Sequence, residues 1–126
     1  ATGRPRLDGR SFAETVAALR EEETLVMADC GSFDDAQRAV DAGVDIVSTT
    51  LAGYTGDRPK TDGPDLELLE RTVQAFPNVP VICEGRIHTP EHAAAAMKLG
   101  AFAVIVGTAI THPTSVTGWF KAAVEN

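Results

Sequence analysis

The sequence is poor in cysteine, in aromatic residues and in positive charge, and it holds no long uninterrupted apolar run. Each shortage closes a possibility. The two cysteines, Cys30 and Cys83, lack C-x-x-C spacing and end apolar runs, in a chain of 126 residues that is too large to need covalent staples. They are expected to be buried thiols of a reducing cytoplasm rather than a disulfide. Eleven basic residues against eighteen acidic ones, a net charge of -7, leave no extended basic face for nucleic acid or an anionic membrane. A single small phosphate asks for less, since a few aimed backbone N–H groups suffice. The most continuous apolar stretch, residues 101–110, is interrupted at Gly107 and Thr108 and is far short of the roughly 18 residues of a membrane span. No basic-then-apolar leader follows Ala1, so no signal peptide is expected and the chain is expected to begin mid-protein. What is present is the composition of a packed globule. With 44% hydrophobic and 23% charged residues and modest glycine and proline, disorder and collagen-like structure are excluded, and the length by itself fits one domain of about 100–150 residues.

Helix-like and strand-like segments alternate with little between them. Ser11 and Glu14 make a capping-box pair ahead of Phe12, Val16 and Leu19 at helical spacing, which predicts a helix over 11–22. The short apolar run at 25–28 reads as a buried parallel strand. Ser32 with Asp35 opens a second helix that ends before Gly43, and 44–48 is the next strand. After a polar loop at 54–63, Pro64 starts a third helix with Leu66, Leu69, Val73 and Phe76 on one face, followed by a strand at 79–83. Thr89 and Pro90 start a fourth helix ending at Gly100, and 102–106 is the fourth strand. A last helix carries Val116, Trp119, Phe120 and Ala123, an apolar stripe expected to pack in the core or against a partner. Strands that are each followed by a helix must be parallel, with right-handed crossovers.

An internal repeat sharpens the pattern. Asp29, Ser32 and Gly43 end a strand, cap a helix and lead into the next strand, and Glu84, Thr89 and Gly100 play the same three parts later in the chain. Two βαβ units, each presenting a carboxylate at a strand's C-terminal end, are what half of a (β/α)8 barrel looks like. A flavodoxin-like open sheet shows the same alternation and stays open at this point.

In either fold, ligands bind beyond the C-terminal ends of the strands, here residues 29–31, 49–55, 84–86 and 107–109. Asp29 and Glu84 end apolar strands, where an unpaired carboxylate is costly, so each is expected to be paired, hydrogen-bonded or turned to a wet pocket. Gly85 and Gly107 let backbone approach a ligand closely, in the two loops where barrels often hold phosphate. Gly107-Thr108-Ala109 is neither a P-loop nor a G-x-G-x-x-G fingerprint, so a nucleotide has no motif support. His88 and His92 stand at i, i+4, but a helix starts between them, and no metal site is expected. Ser32 and Ser115 lack His and Asp partners in any nucleophile-elbow arrangement and read as helix starts.

The strand-end segments MADCGSFDDA at 27–36, STTLAGYT at 48–55, ICEGRIHTPEHA at 82–93 and AVIVGTAITHP at 103–113 closely resemble the second half of the bacterial N-acetylmannosamine-6-phosphate 2-epimerase family. ATGRPRLDG at 1–9 resembles that family's loop after its fourth barrel strand, so the resemblance runs over essentially the whole chain with its motifs in order. It implies an α/β fold, a (β/α)8 TIM barrel of the ribulose-phosphate-binding type. Residues 1–126 would be the C-terminal half of that single domain, strands five to eight. It also implies an activity. The family interconverts N-acetylmannosamine 6-phosphate and N-acetylglucosamine 6-phosphate in cytoplasmic sialic-acid catabolism, without metal or organic cofactor. The proton beside the open-chain C1 aldehyde is removed and returned through an enediolate-like intermediate.

Carried onto matching positions, the resemblance gives Glu84 proton transfer or oxygen polarisation, and Asp29 the orientation of substrate hydroxyls or of an active-site cation. Thr50, Tyr54, Arg86 and His112 would contact the phosphosugar, and Gly85, Gly107 and Thr108 would hold its phosphate. Two departures stand out. His112 occupies the position of a family arginine and is a weaker, pH-dependent cation. The family's catalytic lysine ends the third barrel strand, outside these residues, while Lys60 lies in a polar loop and Lys98 late in a helix. The chain is therefore expected to be inactive alone, and to be a homo-oligomer or completed by the missing N-terminal half. Another phosphosugar isomerase, lyase or synthase on the same barrel is an alternative. So are a half-barrel whose open edges drive self-assembly and, more distantly, a flavin-binding open sheet.

Overall fold

The computed structural model describes residues 2–125. Four parallel strands, β1 (Met27–Asp29), β2 (Ile46–Ser48), β3 (Val81–Glu84) and β4 (Ala103–Ile105), lie side by side in chain order. Helix α1 (Phe12–Glu21) precedes the sheet, α2 (Phe33–Asp41), α3 (Leu66–Ala75) and α4 (Pro90–Lys98) are the crossovers, and α5 (Thr108–Thr111) and α6 (Pro113–Glu125) follow it. Strand alternation turns Ala28, Val47, Val81, Cys83 and Val104 to one face, where they pack with residues of the crossover helices. A doubly wound sheet reverses its strand order at a switch point and carries helices on both faces. Neither feature is present among the described residues, which removes the flavodoxin-like alternative and leaves a section of barrel wall.

Helix starts follow local chemistry. At α1 the capping box is complete: the Ser11 hydroxyl accepts from Glu14 N–H at 3.2 Å, and the Glu14 carboxylate accepts from Ser11 N–H at 2.7 Å. At α2 only half of the expected box forms. Ser32 caps Asp35 N–H, but the Asp35 carboxylate accepts from Gly31 N–H, from Arg38 and from Thr2. Helix α3 starts later than Pro64, because Asp65 is its cap and accepts from Leu68 N–H at 3.0 Å. Such a cap contributes about 1 kcal/mol.

The two repeat units become two apolar clusters, one around Val16, Ala28, Ala39 and Val47, the other around Leu69, Val81, Ala96 and Ala101. Each holds one of the free cysteines. Burial first, then the nearby Asp35 charge, pushes the Cys30 thiol up to about 12, and burial also raises Cys83. Both are inert as nucleophiles at neutral pH.

Two expectations are corrected. The first strand starts at Met27, two residues after Leu25, which is 76% exposed. The apolar strand runs are covered on their helix side only: on the opposite face Met27 and Ile105 are exposed, and Ile46, Ile82 and Ala103 are partly so. The stripe on the last helix is not core either. Phe120 is 72% exposed and Val124 83%, and Trp119 rests its ring against His88 at 4.4 Å. These side chains have no sheet beneath them within the described residues, because α6 packs chiefly on α5.

Candidate functional site at the strand ends

A pocket of about 270 Å³ opens beyond β2, β3 and β4, lined by Thr50, Tyr54, Glu84, Gly85, Arg86, Ile87, His88, Ile105, Gly107 and Thr108. Of the residues singled out in the sequence, Asp29 and His112 are outside this lining. Asp29 ends β1 in register with Ser48, half-buried, and its carboxylate makes no hydrogen bond or ion pair with another described residue. His112 sits between α5 and α6, where its Nδ1 lies 2.8 Å from Ser115 Oγ and accepts from Ser115 N–H at 3.3 Å. Its ring thus closes the first turn of α6.

Glu84 is held by its neighbouring strand. The Thr49 hydroxyl bonds the Glu84 backbone in both directions, accepting from its N–H at 3.1 Å and donating to its carbonyl at 3.0 Å. Thr50 Oγ1 donates to Glu84 Oε2 at 2.8 Å, and Ser48 Oγ lies 3.4 Å from the same oxygen. Ser48 and Thr49 were not legible as site residues in the sequence. The available signal was three consecutive hydroxyl side chains at the end of an apolar strand, where burial demands a partner for each.

The turn after β3 is unusual. Gly85 and Arg86 both adopt positive φ, 105° and 56°, and a side chain pays a steric cost there that glycine does not. The turn aims the Arg86 guanidinium back across the preceding loop. Its Nε donates to Gly63 O at 3.0 Å, Nη1 to Ala52 O at 2.8 Å and Nη2 to Thr61 Oγ1 at 3.1 Å. The same group lies 5.2 Å from the Tyr54 ring centre, within cation–π range, and Lys60 lies 5.3 Å from it. Arg86 is therefore a clamp that holds the 52–63 loop and Tyr54 over the pocket. Replacing it with alanine is expected to speed amide hydrogen exchange throughout that loop while leaving the strands protected; unchanged loop exchange would refute the clamp.

A second arginine anchors the loop's far end. Arg58 bonds Asp65 at 2.6 Å and 3.0 Å, and Asp65 is 4% exposed. Burial alone would raise the Asp65 carboxyl, but the bonds from Arg58 and from Leu68 N–H outweigh it and hold it below its ordinary value. A carboxyl depressed by folding contributes stability above its unfolded pKa and loses it as pH falls through the folded one. Asp65→Ala should cost about 3 kcal/mol in urea unfolding, the low end for breaking a buried pair because Arg58 keeps Glu67 as a partner. It should also flatten the acid side of the stability profile; an unaltered urea midpoint would contradict this.

The histidines are engaged locally. His92 Nδ1 accepts from His88 N–H at 3.3 Å, and burial, with the nearby His92 and Arg86, holds the His88 ring below its usual value. Among the described residues no group of three or more His, Cys, Asp or Glu side chains could hold a metal ion. No described helix is long and apolar enough to cross a membrane.

A family model described as "Putative N-acetylmannosamine-6-phosphate epimerase" matches residues 1–126. A relative from Cutibacterium acnes, named "Putative N-acetylmannosamine-6-phosphate 2-epimerase", is 61% identical over 126 residues, 98% of this chain and 55% of that one. A relative of the same name from Corynebacterium glutamicum is 48% identical over 125 residues, 99% of this chain and 54% of its own length. The solved structure of the N-acetylmannosamine-6-phosphate 2-epimerase from Clostridium perfringens superposes with a TM-score of 0.91 at 41% identity, covering 98% of this chain and 53% of that one. The chain spans about half the length of these relatives, and its four strands and their helices are half of a (β/α)8 barrel.

Proposed function

The chain belongs to the N-acetylmannosamine-6-phosphate epimerase family, and from that membership we propose that the whole protein interconverts N-acetylmannosamine 6-phosphate and N-acetylglucosamine 6-phosphate. Residues 1–126 are the C-terminal half of its single barrel domain. The observation that carries the reading is Glu84: a carboxylate at a strand end, fixed by hydroxyls on one oxygen, in the wall of a pocket rimmed by the glycine turns after β3 and β4.

The reaction asks for little else from this half. In the open-chain sugar the C2 proton is acidic because the C1 aldehyde can take up the charge as an enolate. Glu84 moves that proton or polarises the adjoining oxygen, and the backbone N–H groups around Gly85, Gly107 and Thr108 receive the phosphate, with the Thr108 and Ala109 N–H groups left to donate because those of Ile110 and Thr111 are taken by the Gly107 carbonyl. Tyr54 offers a half-exposed ring to the sugar. His112, turned to Ser115, stands outside the pocket lining at the position of the family's phosphate-site arginine. Asp29 meets sugar hydroxyls only once the other half closes the pocket beside β1. The partner of this chain is that other half, packed on the open sheet face at Met27 and Ile105, and the exposed α6 side chains Phe120 and Val124 suit contact between copies. A phosphosugar substrate and two free buried thiols suit the cytoplasm, and the substrate pair suits sialic-acid catabolism.

Incubating the whole protein with N-acetylmannosamine 6-phosphate in deuterated water tests this. The epimer should form with solvent deuterium at C2, and the unphosphorylated sugar should react far more slowly. No conversion, or conversion without deuterium, would overturn the reading.

A further inference from the structure

Every hydroxyl of the Ser48-Thr49-Thr50 run addresses Glu84, and the proton count decides how. Each hydroxyl has one proton to donate. Thr50 Oγ1 and Glu84 Oε2 are 2.8 Å apart, and the carboxylate oxygen accepts, so the Thr50 proton is committed there. Ser48 Oγ and Thr50 Oγ1 are 2.6 Å apart, so in that contact Ser48 is the donor. Its 3.4 Å approach to the carboxylate is the longer and weaker one. Ser48 is fully buried and cannot meet a substrate. Thr50 lines the pocket, yet it has no proton left for one. Glu84 Oε1, by contrast, bonds no other described residue.

We propose that Ser48 and Thr50 are positioning residues for the epimerase reaction, a relay from Ser48 Oγ–H to Thr50 Oγ1–H to Glu84 Oε2 that fixes one carboxylate oxygen and leaves Oε1 to exchange the substrate proton. The proposal rests on the functional reading above and reassigns Thr50, expected from the resemblance to contact the phosphosugar. The relay is built for geometry. A glutamate side chain rotates about three bonds, and proton transfer needs its oxygen within hydrogen-bond reach of C2. Thr49 fixes the backbone of Glu84 and Thr50 fixes its far end, so the intervening torsions have one arrangement. Ser48 in turn fixes the Thr50 rotor.

The test is steady-state kinetics of the whole protein on N-acetylmannosamine 6-phosphate. Thr50→Val should lower kcat by about 10-fold or more while KM stays within about twofold, the signature of a misplaced catalytic group rather than a lost ligand. Thr50→Ser, which returns the hydroxyl, should recover most of the loss, and Ser48→Ala should show the same split at smaller size. Placed on Glu84→Gln, Thr50→Val should cost nothing further, because a residue that acts through another has no effect once that one is removed. A raised KM at unchanged kcat, or a full multiplicative loss on the Glu84→Gln background, would overturn the relay while leaving the functional reading in place. An unaltered protein without turnover would overturn both.

Discussion

Glu84→Gln in the whole protein is expected to lower kcat by about 100-fold or more, with the fold and the KM for N-acetylmannosamine 6-phosphate close to those of the unaltered protein. The magnitude is that of losing one general acid–base group. Glutamine keeps the shape of the side chain and an oxygen that can still accept from Thr50, so the Ser48–Thr50 contacts survive and the strand pairing with Ile105 is untouched. What disappears is the ability to take up and return a proton. Loss of deuterium wash-in at C2 alongside the loss of epimerisation would tie the effect to the proton-transfer step. A variant with near-normal turnover would remove Glu84 from the chemistry and leave it as a structural partner of the β2 hydroxyls.

The second large effect concerns the half-barrel itself. This chain, produced alone, is expected to give no measurable turnover, and activity should return when the remaining half of the barrel is supplied. The sheet has two unpaired edges at β1 and β4, and its inner face leaves Met27 and Ile105 exposed, so nothing among the described residues closes the pocket opposite Glu84. Low effective dielectric, which gives a carboxylate leverage over a proton on carbon, requires that water be excluded. The resemblance also implies that the family's catalytic lysine would lie in the other half. Turnover by the lone chain would show that four strand ends suffice. Sedimentation of the same sample is informative, since open edges and an apolar face favour self-association.

Much of the architecture was legible because it depends on neighbours in the chain. The alternation of elements, the complete cap at Ser11 and the Thr89–Pro90 start of α4 follow from spacing within one helical turn. Where a local rule had two ways to be satisfied, the fold chose. Asp35 left its half of the capping box to bond Gly31 N–H and Arg38, and Asp65 rather than Pro64 set the start of α3 because Arg58 was there to balance its charge. The apolar stripe at Trp119 and Phe120 was expected in the core or against a partner, and its exposure leaves the partner, since periodicity does not say what lies opposite.

The same division holds in the pocket. Glu84 and the glycine turns announced themselves as a carboxylate and flexible backbone at strand ends, and that is a property of the sequence alone. The bonds of the β2 hydroxyls to Glu84, of the Arg86 guanidinium to the 52–63 loop and of His112 to Ser115 did not. Thr50 meets Glu84 across 34 residues and Arg86 meets Ala52 across the same separation, distances set by the parallel register of β2 and β3 and by two left-handed residues in one turn. Local sequence determined which groups stand at the strand ends; only the packed sheet decided which of them touch, because side-chain hydrogen bonds between strands exist only after the strands are in register.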